Sequence, residues 1–393
     1  MNPQSAYLNK TEKLFESNGL LARFEATVID CVETCEGFDI ELDRTAFFPE
    51  GGGQDSDTGV LGGVRVTHVR TEDGRILHRC DGALEVGTLV SGEIDFGLRR
   101  KRMQNHGGEH IISGLIYKTY GIGNVGFHMS DGEITIDTAA PVTEEMLGTV
   151  ESLANKAVWE DRPIRCYYPT AEELSTLPYR SKTELSGDVR IVDIEGCDRC
   201  ACCAPHFPST APIGIIHIKG FIKYKKGSRL TVVCGEDALN NYRAVSREAK
   251  EIAKLYSTVP EEIHSAVLHR EEAFADKLRE ISELKEKLLS VKLTSLSYTD
   301  GNICVFENGC DSNLLRKLVN DGIALTGGVF AAFSDNGRGG YNYVVGTNGG
   351  DLSPLAAKMR EALGGRGGGK GPMISGFVES DEDSIREFFK EKI

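Results

Sequence analysis

Residues 98–121 read LRRKRMQNHGGEHIISGLIYKTYG. Ile111, Ile112, Leu115 and Ile116 recur at helical spacing, and Gly121 suits a helix stop. On that helix His106 and His110 stand four residues apart, one above the other on one face. Two imidazoles so placed can bind one metal ion, which is the geometry of helical zinc pairs. Gly107 and Gly108 lie between them, and each costs a helix interior about 1 kcal/mol against alanine. Such a weakened turn makes sense where something must approach the backbone closely. Glu109 directly precedes His110, so it points to another face and does not form a His-Glu-x-x-His motif. Taken alone, the pair competes with a reading as two unrelated histidines.

Downstream, residues 197–206 read CDRCACCAPH, four cysteines and a histidine in ten positions. Cys197-x-x-Cys200 could be half of a zinc knuckle, but no second Cys-x-x-Cys follows and Cys234 stands alone. Alternatively, Cys202-x-x-x-His206 adds two donors to His106 and His110, a His₃Cys set suited to zinc. Three of them plus water would make a catalytic centre, whereas four would make a closed one. A redox-reactive cysteine cluster is the competing reading.

Upstream, residues 23–95 are β-rich. Phe24–Val28, Phe38–Leu42, Val64–Val69 and Leu89–Ile94 alternate apolar with polar residues between Gly and Asp turns, as in a small barrel or sandwich. The block carries Phe47-Phe48-Pro49-Glu50-Gly51-Gly52-Gly53-Gln54, whose glycines permit close backbone approach. After the first helix, two strands with a turn at Asp131-Gly132, a helix near 143–160, and strands at 189–194 and 213–218 give an α+β pattern. Residues 237–296 are helical and interrupted at Pro260. From Ile263, steps of four and three pass through 263, 267, 270, 274, 277, 281, 284, 288 and 291, apolar except at Arg270 and Lys277. This predicts two antiparallel helices, near 237–256 and 260–296, serving as a spacer or a dimerisation arm. Residues 302–393 predict strands at 303–306, 329–334 and 342–346, and helices at 311–321, 352–363 and from 381. GGRGGGKG at 364–371 nearly spells a P-loop, but Gly371 replaces the magnesium-binding Ser or Thr and a helix precedes it, so ATP binding is not expected.

Across 393 residues, 45 Lys and Arg stand against 59 Asp and Glu, a formal charge of -14. That excludes a polybasic protein binding nucleic acid by bulk charge. Basic clusters remain: Arg99, Arg100, Lys101 and Arg102 before the histidine pair, then Lys219, Lys223, Lys225, Lys226 and Arg229 after the cysteine loop, with Phe221 and Tyr224 interleaved. Convergence of the metal donors would place both clusters beside one cleft, a phosphate-backbone footprint; ordinary solvated charge is the bland alternative. No stretch predicts a transmembrane helix or a signal peptide, and eleven cysteines fit a reducing cytoplasm.

Together and in this order, these pieces resemble the alanyl-tRNA synthetase editing domains. Thr45-Ala-Phe47-Phe48-Pro49-Glu50-Gly-Gly-Gly-Gln54 followed by Asp57-Thr58-Gly59 looks like their signature strand and loop. His106-x-x-x-His110 and Cys202-x-x-x-His206 are similar to their two zinc motifs. The helical stretch and the GGRGGGKG region resemble the C-terminal glycine-rich domain. With no aminoacylation domain in the sequence, the pattern matches the long freestanding AlaX editing proteins. The resemblance implies a translation-factor-like β-barrel (1–97), a zinc-binding α+β editing core (98–236), a helical hairpin arm (237–297) and a C-terminal glycine-rich α/β domain (298–393). It implies zinc-dependent deacylation of mischarged tRNA(Ala), Ser-tRNA or Gly-tRNA. Zinc would be held by His106, His110, Cys202 and His206, with Thr45 near the amino-acid pocket and Gln54 near the scissile region. Arg99, Arg100, Lys101, Arg102, Lys223, Lys225, Lys226, Arg366 and Lys370 are the expected tRNA contacts, and a homodimer through the arm or C-terminal domain is expected. The alternatives are a non-catalytic zinc-containing tRNA-binding protein and a zinc hydrolase of small amino-acid esters. The chain departs from the family pattern at Gly107-Gly108-Glu109, Cys203-Ala204-Pro205 and Pro212.

Overall fold

The computed structural model describes residues 11–130, 132–181 and 189–390. The chain divides into two compact units, 1–252 and 253–393. No helix among the described residues is long and apolar enough to cross a membrane.

Six strands of the first unit build its barrel: β1 (Arg23–Thr34), β2 (Gly37–Leu42), β3 (Gly59–Leu61), β4 (Val64–Glu72), β5 (Arg75–Cys80) and β6 (Leu89–Ile94). They close into a barrel in the order β1-β2-β5-β4-β3-β6. Strand alternation fills it: Phe24, Ala26 and Val28 of β1 point inward against Ile40, Leu42, Phe47, Phe48 and Val66. The sequence reading missed β3 and β5. Each is defined by antiparallel pairing with its neighbours, and three residues of β3 are too few for an apolar period.

Helix α1 (Phe96–Tyr120) follows directly. Asp95 caps it by accepting from the Leu98 N–H, and Gly121 ends it at φ +68 with its N–H on the Tyr117 carbonyl. Residues 103–116 of α1 are buried without interruption. Strands β7 (Asn124–Ser130) and β8 (Glu133–Thr138), helix α2 (Glu144–Trp159), strands β9 (Ile164–Tyr167), β10 (Ile191–Ile194), β11 (Asp198–Ala201), β12 (Ile216–Tyr224) and β13 (Gly227–Cys234) complete this part. They form a four-stranded sheet ordered β12-β13-β8-β7 and a three-stranded sheet ordered β9-β10-β11. The expected turn at Asp131-Gly132 includes Asp131, outside the described residues. α1 buries Met103, Ile111, Ile112, Leu115 and Ile116 among Ile134, Ile136, Leu230 and Val232 of the sheet. Its glycines are packing residues: a Cβ on Gly108 would lie 2.2 Å from Cys234 Sγ, and one on Gly107 2.8 Å from Ile213. The close approach is therefore made by the protein's own core.

Helix α3 (Gly235–Leu255) leads to a short 3₁₀ turn at Pro260–Glu262 and to α4 (Ile263–Thr294). Phe274, Ile281, Leu284, Leu288 and Val291 of the sequence-derived seam are exposed. The buried residue of α4 is Leu289, which joins Leu314, Leu315, Leu318 and Phe330 of the second unit. That unit holds β14 (Ile303–Phe306), α5 (Ser312–Gly322), β15 (Phe330–Asp335), β16 (Tyr341–Gly346), α6 (Ser353–Leu363), β17 (Arg366–Gly368), β18 (Met373–Val378) and α7 (Glu382–Phe388). Its sheet order is β14-β15-β16-β18-β17. The glycine-rich segment expected to be a loop is in part the edge strand β17, with Gly367 opposite Gly376. A Cβ on Gly367 would meet the Tyr343 hydroxyl at 2.0 Å, so the glycines answer to strand packing.

Candidate metal centre

His106 and His110 project from one face of α1, with ring centroids 5.2 Å apart and planes within 12° of parallel. Cys202 and His206 come from the loop after β11. The His206 ring lies 5.2 Å from that of His106 and 5.0 Å from that of His110. Cys202 Sγ stands 3.6 Å from His106 Nε2 and 3.4 Å from His206 Nε2. One donor atom from each of the four residues falls within 4.8 Å of the others. Arg190 holds the ligand loop in place: its carbonyl accepts from the Cys202 N–H, and its guanidinium donates to the Cys202 and Ala204 carbonyls.

These residues fit a metal ion. His110 Nε2 and His206 Nδ1 are buried with no hydrogen-bond partner, an arrangement costly for polar atoms that nothing engages. Three imidazoles and a thiol within this reach form a tetrahedral-type donor set. Burial pushes the Cys202 thiol upward, but the neighbouring His106 and His206 outweigh it and bring the thiol well below its ordinary value. Burial pushes His206 down to about 4, against the pull of Cys202.

The outer partners of the two helix histidines differ. His106 Nδ1 meets Gln54 Oε1 at 2.8 Å, while His110 Nδ1 meets Asp198 Oδ2 at 2.9 Å. The expected site residue Gln54 is thus joined to the centre, through the end of the PEGGGQ loop. Its Nε2 is buried and unpartnered. Gly51–Gln54, Asp55, Arg70, His128 and Met129 line a cleft of about 490 Å³ beside it. Glu109 Oε1 accepts from Ser113 and Asn124, on another face of α1 from the two histidines. Thr45 lies in the barrel interior, where its hydroxyl meets His78 Nε2 at 2.8 Å and accepts from the Phe47 N–H. Asp198, Arg180 and Arg190 were not picked out by the sequence reading. Only Asp198 had a local signal, an acid on the strand leading into the cysteine loop.

The basic clusters divide. Arg99 is 0% exposed. Its guanidinium donates to Asp57 and to the Gly19 and Ala46 carbonyls, which corrects its expected place on a tRNA surface. Arg100 and Lys101 both pair with Glu236 at 3.2 Å. Arg102 donates to the Ser56 carbonyl and lies 3.7 Å from Asp55. Lys223 is next to last in β12, and Lys225 and Lys226 form the turn into β13, where Arg229 stacks on Tyr224 with its guanidinium carbon 3.8 Å from the ring centre. Arg366 and Lys370 are exposed in the second unit. Cys200 lies close to His110 and Asp198, Cys197 is buried against Arg162, Cys203 is exposed, and all eleven cysteines are free thiols.

Residues 7–97 match the family described as tRNA synthetases class II (A), and residues 189–231 match the threonyl and alanyl tRNA synthetase second additional domain. The alanyl-tRNA editing protein AlaX-L of Pyrococcus horikoshii is 26% identical over 411 residues, covering 97% of this chain and 98% of its own. Along its length the chain is thus similar to an alanyl-tRNA synthetase-type editing protein. Among other relatives, the alanine–tRNA ligase of Ignicoccus hospitalis is 28% identical over 388 residues, 95% of this chain, and the chain spans 42% of the ligase. The alanyl-tRNA editing protein Aarsd1-A of Xenopus laevis is 31% identical over 239 residues, 60% of this chain and 58% of its own. The second additional domain match includes Cys202 and His206, so the matched stretch carries half of the candidate metal centre.

Proposed function

We propose that the protein is a zinc-dependent deacylase that acts in trans on mischarged tRNA(Ala), removing serine or glycine in the cytoplasm. The observation that carries this reading is the buried His₃Cys cluster with unpartnered histidine nitrogens, set against the unpartnered amide nitrogen of Gln54. The need for such an activity is chemical. A pocket for alanine cannot strongly reject glycine, and serine adds only a hydroxyl, so binding discriminates poorly. A second, hydrolytic site answers that.

His106, His110, Cys202 and His206 are the residues that would hold zinc. When bound, zinc supplies a positive charge that acidifies water or anchors the substrate amine. An aminoacyl ester is already activated, so the protein needs chiefly to orient water and stabilise charge on the carbonyl oxygen. Gln54 is suited to stabilising that charge, because its Oε1 is engaged by His106 while its Nε2 is a buried donor without a partner. Thr45 is the residue we assign to sensing the amino-acid side chain. Arg100, Lys101, Arg102, Lys223, Lys225, Lys226, Arg366 and Lys370 are the proposed phosphate contacts. The barrel of 1–97 is read as translation-factor-like, 98–236 as the editing core, 237–297 as a helical hairpin arm and 298–393 as a tRNA-contacting glycine-rich domain, with a homodimer formed through the arm or the C-terminal domain.

The test is deacylation of Ser-tRNA(Ala), Gly-tRNA(Ala) and Ala-tRNA(Ala), with zinc content measured on the same sample. Loss of serine or glycine with alanine retained supports the reading, and rates equal to a protein-free control refute it. The burial of His106, His110 and His206 favours one second reading, a closed structural zinc in a tRNA-binding protein. In that case His106→Ala would lower the melting temperature, and no mischarged tRNA would be hydrolysed by the wild type.

A further inference from the structure

Asp198 stands behind His110, on the side away from the other donors. Its Oδ2 lies 2.9 Å from His110 Nδ1, and the two side chains are 1% and 3% exposed. Arg180 grips the same carboxylate twice, Nε to Oδ1 and Nη2 to Oδ2, each at 2.7 Å. Arg180 is itself fixed to β11: its N–H donates to the Arg199 carbonyl, and its carbonyl accepts from the Ala201 N–H. A carboxylate gripped in this way is an acceptor only. His110 Nδ1 therefore donates to Asp198, and Nε2 is the ring nitrogen left for a metal. Nε2 is the buried atom without a partner. His106 is oriented through its own Nδ1 by the uncharged amide of Gln54.

We infer that Asp198, locked by Arg180, is the positioning residue that fixes His110 as an Nε2 metal donor and makes it the stronger donor of the helix pair. An anionic partner raises the electron density of an imidazole and holds its ring plane, whereas an amide does the second more than the first. Because β11 carries Asp198 and leads into the loop bearing Cys202, the sheet would align ligands from both motifs at once. The inference rests on the four residues being metal ligands, and not on which ester is hydrolysed.

The test uses the full chain as wild type, Asp198→Asn, Arg180→Met and Gln54→Ala, titrated with zinc against a chromophoric chelator and with cobalt(II) followed by its visible absorption. Asp198→Asn should weaken zinc binding about 10- to 100-fold, the range for such outer partners, and alter the cobalt band. Gln54→Ala should weaken it less. Wild-type zinc affinity and an unchanged cobalt spectrum in Asp198→Asn would overturn the inference, as would failure of the wild type to bind zinc. If Asp198→Asn does not fold, Arg180→Met decides, since it keeps the carboxylate but frees it: weakened affinity supports the role and wild-type affinity removes it. A wild type that binds zinc but hydrolyses no mischarged tRNA refutes the proposed function and leaves this inference standing.

Discussion

Replacing Asp57 by Asn should destabilise the first unit sharply, and the size of the effect follows from what is left behind. Arg99 is wholly enclosed, and its Nε lies 3.0 Å from both Asp57 oxygens. Its other donors reach the Gly19 carbonyl at 3.0 Å and the Ala46 carbonyl at 2.7 Å. Asp57 Oδ2 also accepts from the Phe48 N–H at 2.6 Å. The pair therefore ties the first turn of α1 to the loop that carries the glycine run. Asp57→Asn keeps the volume and removes the charge, leaving a guanidinium buried without its counter-ion. Breaking such a pair from one side costs about 3–5 kcal/mol. Removing both charges, as in Asp57→Leu with Arg99→Met, leaves no orphan charge and should cost clearly less than the single change. Urea unfolding followed by circular dichroism measures both, and tRNA affinity is measured alongside. Arg99→Met that leaves the unfolding midpoint unchanged but weakens tRNA binding would refute the argument, because it would make Arg99 a surface contact.

Other outcomes follow from the same contacts. His78 is fully buried and pushed by desolvation down to about 4 from the usual 6.5. Its contribution is complete above pH 6.5 and is lost as pH falls toward 4, up to about 3 kcal/mol; His78→Gln should lose less stability across that interval, and equal pH slopes in urea titrations would contradict this. Gly108→Ala gains about 1 kcal/mol of helix propensity but sets a methyl against Cys234, an overpacking of about 1–3 kcal/mol. It should lower the melting temperature, and adding Cys234→Ala should restore part of the loss. Thr45→Val strands the buried His78 Nε2 at about 1–3 kcal/mol; below its melting temperature it should still bind zinc while removing serine more slowly relative to glycine. A strong chelator should abolish deacylation and re-added zinc restore it; activity that survives complete metal removal would count against a metal role.

Much of the candidate centre was legible in the sequence because its donors are short-range patterns. The i, i+4 spacing of His106 and His110 needs only a helix, and Cys202-x-x-x-His206 needs only a local loop. Gln54 was marked by the motif around it, although its contact with His106 spans 52 positions and is invisible until the barrel packs on α1. Arg99 was misread because four consecutive cations look like a solvated patch, while a helix turns consecutive side chains to different faces. Its neighbours Arg100 and Lys101 meet Glu236, an acid 136 and 135 positions away, so the cationic strength of the cluster also depended on contacts that composition does not reveal. The glycines of 364–371 were read as loop because a strand without side chains has no apolar period.

The sequence alone determined that a helix carries His106 and His110, its stop at Gly121, and two pairs of metal-type donors, since these rest on local periodicity and spacing. It left open whether the pairs meet, what lies behind each imidazole, and which cations remain outside. Tertiary structure decided those, because each is a pairing of groups far apart in the chain, fixed by burial rather than by neighbours. The charge of -14 set no such limit: what matters for an RNA partner is which lysines and arginines the fold leaves without an acid beside them.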